Sequence, residues 1–330
     1  MRTYSKLLAF MLMFTASNLL ADVTIPYGEG SGKADFINNN KYPKIDDPQP
    51  TGPLSFRVIG DNVWVADSVG NKLMQFGKDG KLISEFSVLP KDTPAYKIEK
   101  TEDNDSLPIL NMIIDDFAPV YNEKGELEAW WVTDSCKNKL VKFSVDGKLI
   151  GEITNPDFGQ LYRVEVGQGG HIFVADKVAA SIFVYDSDGN LLSKQNWEWS
   201  GMAVSGADDV LYRLMYDNEA KKNVLVISTV DGKVVSGKPL DVVGMFNPKL
   251  WWVDESIGEY VITYSPAEFK GFYNIVRVGF DGTVKASGEV PAPIIMNRFI
   301  EKGANGVFIG KGNFFEAPNG NFEVVPYKLP

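Results

Sequence analysis

One phrase occurs three times in this chain, as Val65-Ala66-Asp67-Ser68, Val132-Thr133-Asp134-Ser135 and Val174-Ala175-Asp176-Lys177, and each time the aspartate is followed twelve residues later by Asp-Gly. A fixed internal offset marks one supersecondary unit copied along the chain, because such a unit leaves apolar faces that only its neighbours cover. Turn dipeptides extend the series at Asp79-Gly80, Asp146-Gly147, Asp188-Gly189, Asp231-Gly232, Asp281-Gly282 and Asn319-Gly320, with glycine spacings of 67, 42, 43, 50 and 38 residues. The segments between them are short and rich in Val, Ile, Leu and Phe, as in hairpins closed by turns that need a positive φ. Six units of roughly forty residues, each with room for four short strands, predict an all-β chain folded as a six-bladed β-propeller of four-stranded antiparallel blades.

The first unit reads as strands Phe56 to Ile59, Asn62 to Ala66, Lys72 to Phe76 and Lys81 to Phe86. Trp64, Trp131 and Phe173 share one aligned position, and Val65, Val132 and Val174 the next, which faces the other way. A sheet apolar on both faces is one held between two others, as a blade is between its neighbours.

The stretches VADSVGNKLMQFGKDGKLISEF, VTDSCKNKLVKFSVDGKLIGEI and VADKVAASIFVYDSDGNLL resemble the NHL repeat, with its Val-Ala-Asp-Ser phrase, short turn, strand and Asp-Gly tip. In the last three units only the tip and the strand alternation persist, so the motif covers about half the chain. The resemblance implies a propeller of the NHL or TolB-like group and does not imply a single function.

Residues 89 to 117 break the period and account for the 67-residue gap. Prolines 90, 94 and 108 and a run of charges make this an insertion from a propeller rim, expected to carry partner contacts. Arg2 and Lys6, the apolar run Leu7 to Phe14 and the small-residue end at Ala21 read as a secretory signal over residues 1–21, too short for a membrane span. The expected organisation is therefore signal peptide 1–21, extended lead-in 22–53 and propeller 54–330, with Asn38 to Pro53 helping to close the ring. Export to the periplasm or the exterior follows, with no membrane insertion after cleavage.

The chain carries a net charge of −10, and −12 once Arg2 and Lys6 are gone, a balance that repels nucleic acid. Cys136 is the only cysteine, so folding uses no internal disulfide and stability rests on packing.

Chemistry is sparser than architecture. Asp67, Asp134 and Asp176 each end a strand before a turn, where a carboxylate accepts backbone N–H bonds, so capping is expected of them. His171 is the single histidine, which removes multi-imidazole zinc chemistry, and it reads as a blade-edge residue. No Gly-x-Ser-x-Gly elbow presents a nucleophile. Calcium lactonases also use six blades, with an acidic residue ahead of Gly-Pro; the matching stretch here, Thr51-Gly52-Pro53, lacks it. No cofactor is called for, and Ca²⁺ is the one ion for which Glu102-Asp103-Asn104-Asp105 offers oxygens.

Lysine outnumbers arginine 27 to 6, yet Arg57, Arg163 and Arg298 recur in FRVIG, YRVEVG and NRFIEKG near the start of innermost strands. Three guanidinium groups around one axis suit a carboxylate or sulfate, because arginine offers planar paired donors. With Tyr162 beside Arg163 and Trp252 from the pair Trp251-Trp252, they form the candidate ligand-binding set at the channel mouth, expected to be locally positive. The function this supports is an exported binding or scaffold module for a protein or anionic glycan partner. The alternative is a hydrolase or lyase acting on a small sugar acid or lactone, with Ca²⁺ as its candidate ion.

Overall fold

Val63, Val65, Met74 and Phe76 turn to one side of the first sheet and Trp64, Ala66 and Leu73 to the other, and each set enters a different apolar cluster. This follows from the period of two along a strand when both faces are covered. The same division recurs at the aligned positions: Trp131 and Val132 part into separate clusters, as do Phe173 and Val174. In the computed structural model, which describes residues 22–38, 40–42, 52–100, 106–240, 245–293, 296–312 and 317–330, the strands form six four-stranded antiparallel sheets and one two-stranded hairpin. Each pair of neighbouring sheets shares one buried cluster, so the core is a ring of six interfaces. No helix occurs among the described residues. The fold is a six-bladed β-propeller.

The innermost strands are Ser55–Ile59, Phe117–Tyr121, Leu161–Val166, Met202–Ser205, Phe246–Asp254 and Ile300–Gly303. Antiparallel pairing places the start of each beside the end of the second strand, as Ser55 pairs with Ala66 and Phe117 with Val132. That common end is called the upper face here. Five Asp-Gly pairs close the turn between third and fourth strands on the lower face, their glycines at φ 74°, 81°, 87°, 87° and 85°, where a side chain is disfavoured.

Two expectations change in detail. The propeller begins before residue 54: Val23–Pro26, inside the 22–53 segment, pairs with Asn321–Tyr327 as the outer strand of the sixth blade, so chain start and chain end close the ring together. Of the stretch Asn38 to Pro53, residues 39 and 43–51 lie outside the described residues, as does the 1–21 segment; Asn38 donates to the Ala317 carbonyl at 3.3 Å. Asn319-Gly320 is not a sixth lower tip. It precedes the third strand of its blade on the upper face, because that blade's fourth strand comes from the chain start and no hairpin joins the two.

Between blades 1 and 2, Tyr96–Lys100 and Ser106–Leu110 form a hairpin outside the blades. The segment returning from it is core: Met112 and Ile114 are buried between blades 1 and 2, and Phe117 already begins an innermost strand.

Candidate functional site

The three aspartates of the repeated phrase cap turns. Asp67 accepts N–H bonds from Gly70 and Asp35, Asp134 from Cys136 and Lys137, and Asp176 from Ala179, Gly159 and Gln160. Burial pushes the Asp67 carboxyl up to about 7 despite those bonds. His171 sits on the lower face, its Nδ1 2.8 Å from Asp209, and joins blade 3 to blade 4.

Arg57, Arg163 and Arg298 do converge inside the upper end of the channel, all three buried. They meet acids that no repeat position announces. Glu165, two residues along its strand from Arg163, receives Arg57 Nη1 at 3.0 Å, Arg163 Nη2 at 3.1 Å and Arg298 Nη2 at 2.5 Å. Asp116 takes Arg298 through both oxygens at 3.0 and 2.8 Å, and Glu301 lies 3.2 Å from Arg298 and 3.5 Å from Arg57. Three guanidinium groups therefore face three carboxylates. Burial opposes charge on Glu165, yet the three arginines hold its carboxyl well below the usual carboxylate range. The expected positive mouth is thus an internally neutral plug that ties blades 1, 2, 3 and 6 at the axis.

A different group of residues opens to solvent just above. Tyr162, Lys177, Trp199, Tyr216, Lys249 and Tyr273 are among those lining an upper-face cleft of about 580 Å³ between blades 3, 4 and 5. Two β-bulges build it. Pairing skips from Leu161 to Arg163 and from Phe246 to Lys249, and a bulge re-aims the side chains beside it. The result brings Lys249 Nζ to 3.1 Å from the Tyr162 hydroxyl, while Lys177 Nζ stands 3.9 Å from the centre of the Tyr162 ring. Burial raises the Tyr162 phenol, but the charges of Lys249 and Lys177 outweigh it and bring the group below its ordinary value.

The rim carries conformational strain. Trp199 has a positive φ of 58°, unusual for a bulky side chain and a recurrent mark of functional loops; Asn247, a residue type that adopts this region readily, has φ 49°. Trp199 is 56% exposed and is held over the cleft by its Nε1–H bond to the Lys177 carbonyl at 2.9 Å. Behind it Gly201 bridges Leu250 across the blade 4–5 boundary, and a Cβ there would collide with the Leu250 carbonyl oxygen.

Asp115, adjacent to Asp116, occupies a second polar pocket. Asn297 Nδ2 donates to one of its oxygens, and Ser135 Oγ makes a very short contact with the other. Ser135 Oγ also lies 2.8 Å from the Leu161 carbonyl, so its single hydroxyl faces two acceptors. Burial, partly offset by Ser135 and Lys177, pushes this carboxyl up to about 6.

Of the residues expected at the mouth, the three arginines and Tyr162 lie together, whereas Trp252 does not join them. It lines a separate lower-face cavity of about 200 Å³ with Asp254 and Lys302. A bulge between Leu250 and Trp252 turns Trp251 to the channel side instead, 5.3 Å from the Arg163 guanidinium. Lys177 carried a signal in the sequence, since it replaces the serine of the other two phrases; Lys249 carried none, because its position depends on the bulge. Residues 102–105 lie outside the described residues, and among those described no cluster of three or more His, Cys, Asp or Glu is arranged to hold a metal.

No protein-family model matches the chain, and no curated protein matches it. Solved structures do. A member of the DUF4221 family from Bacteroides vulgatus aligns with a TM-score of 0.54 at 10% identity, covering 93% of this chain and 96% of that one. A gluconolactonase of Xanthomonas campestris aligns with a TM-score of 0.51 at 13% identity, covering 83% and 86%. A streptogramin B lyase is similar at 14% identity over 86% and 96%, with a TM-score of 0.46. At these identities the likeness concerns the fold, a propeller that hosts enzymes and binding proteins alike.

Proposed function

We propose that this chain is an exported, NHL-like propeller that binds an anionic glycan in the upper-face cleft between blades 3, 4 and 5. The observation carrying this reading is the pairing of two ammonium groups on Tyr162 inside a cleft rimmed by aromatic rings, on a chain whose net charge is −10. Aromatic faces take the apolar side of a sugar ring, and fixed ammonium groups take a carboxylate. A uronic acid presents both. The arginines of the channel are spent on Glu165, Asp116 and Glu301 and do not line the cleft.

Calorimetric titration of a uronic-acid oligosaccharide and its neutral counterpart tests this. Wild type should prefer the acidic sugar, and binding should weaken with salt. A Lys177→Ala, Lys249→Ala variant should bind at least ~10-fold less tightly, the scale of a single charge-assisted hydrogen bond. Equal affinity of both proteins for the acidic sugar refutes the reading.

A further inference from the structure

We propose that Tyr162 acts as the proton-transferring residue of a β-elimination that cleaves 4-linked uronic-acid glycans in this cleft, with Lys177 and Lys249 neutralising the substrate carboxylate. The inference rests on the anionic-glycan reading and adds a reaction to it.

The geometry is that of a phenol held for proton transfer. The Tyr162 ring is fixed at 5.9 Å from Trp197, its hydroxyl bonds to Lys249 Nζ at 3.1 Å, and Lys177 covers its face at 3.9 Å. Binding of an anion uses the two ammonium groups and leaves the Tyr162 hydroxyl between them without a task of its own. Proton abstraction does use it. The two positive charges, with Arg163 behind, bring the phenol below its ordinary value against the effect of burial, which raises the fraction of phenolate at neutral pH. The same ammonium groups are placed for the charge that develops on the substrate, since a carboxylate stabilises a carbanion next to it only if its own charge is compensated.

The step balances without a co-reactant. The Tyr162 oxygen takes the proton from C5, next to the carboxylate, and the C5–H electron pair becomes the C4–C5 double bond. The C4–O bond breaks, its electron pair leaves with the departing sugar oxygen, and that oxygen recovers the proton from the Tyr162 hydroxyl. Products are a C4–C5 unsaturated uronate and a shortened chain, with no water consumed. This distinguishes the reaction from hydrolysis, which adds water across the C–O bond that breaks.

The experiment incubates the mature protein with oligoglucuronate and with oligomannuronate, in which H5 and O4 lie on one face of the ring, in heavy-oxygen water, following ultraviolet absorbance of the conjugated double bond and the mass of the products. Binding is measured in parallel by calorimetry with the Tyr162→Phe variant, which keeps the ring and its packing. The expected result is an unsaturated product without heavy oxygen, and a Tyr162→Phe variant that binds as wild type does but turns over at least ~10²-fold more slowly. Binding without any unsaturated product overturns the elimination and leaves the binding reading standing. Incorporation of heavy oxygen, or full turnover by Tyr162→Phe, also overturns it. Absence of binding to either uronate overturns both.

Discussion

Replacing Glu165 with glutamine removes the one carboxylate that all three channel arginines share, at 3.0, 3.1 and 2.5 Å. The consequences differ among the three. Arg298 keeps both oxygens of Asp116 as well as Glu301, and Arg57 keeps the Phe117 and Val164 carbonyls at 2.8 Å. Arg163 keeps one hydrogen bond, to the Leu250 carbonyl at 3.4 Å, and the face of Trp251, and its Nε already has no partner. Its guanidinium is 1% exposed, so the variant strands a buried charge, at a cost of about 3–5 kcal/mol when a buried pair is broken from one side. Glu165 itself is partly solvated, with 16% side-chain exposure, which places the expectation near the lower end, about 3 kcal/mol. In urea this moves the unfolding midpoint down by about 1 M for a slope near 3 kcal/mol/M. Adding Arg163→Met restores the balance, leaving two guanidinium groups against Asp116 and Glu301, and should recover at least half of the loss. The pH signature has a definite sign. Because the folded Glu165 titrates far below its unfolded value, its contribution is complete above about pH 4.5 and fades as pH falls below that. A Glu165→Gln midpoint within the equivalent of about 0.5 kcal/mol of wild type, or a double variant no better than the single one, refutes this account of the plug.

Other perturbations have equally definite outcomes. Asp115→Asn mimics the protonated carboxyl, donating to Ser135 while still accepting from Asn297. It should therefore remove a stability loss of about 2–3 kcal/mol that wild type suffers as pH rises from about 4 to about 6, read from the difference between the two urea-unfolding series. Gly201→Ala, at φ 75° with its Cβ driven against the Leu250 carbonyl oxygen, should lower thermal stability and weaken ligand binding together, because the same bridge positions Trp199 and Lys249. Deleting residues 22–26 removes the strand that pairs with Asn321–Tyr327 and should lower the unfolding midpoint far more than replacing hairpin residues 97–109 by a short glycine turn, which should leave one cooperative transition and intact cleft binding.

The blades were legible because their determinants are local. Trp64 beside Val65, repeated at Trp131-Val132 and Phe173-Val174, states in two residues that both faces of a sheet are covered. The closing strand Val23–Pro26 was not, since its partner lies some three hundred residues away and no turn joins them. Asn319-Gly320 misleads for a related reason: a turn pair encodes a bend, not which strands it joins. The three arginines meet at Glu165, and the acids answering them sit at Asp116, Glu165 and Glu301, outside any repeat register, so the sign of the mouth was invisible. The Tyr162–Lys249 hydrogen bond depends on two bulges, each a departure from the regular pairing that a period of two assumes.

The most direct test of the central claim is a crystal structure of the protein bound to a uronic-acid oligosaccharide. The account predicts a sugar carboxylate within hydrogen-bond distance of Lys177 or Lys249, with a ring against the aromatic rim formed by Trp199, Tyr216 and Tyr273. A sugar bound at the lower-face cavity beside Trp252, or displacing the carboxylates from the arginine plug, would contradict it.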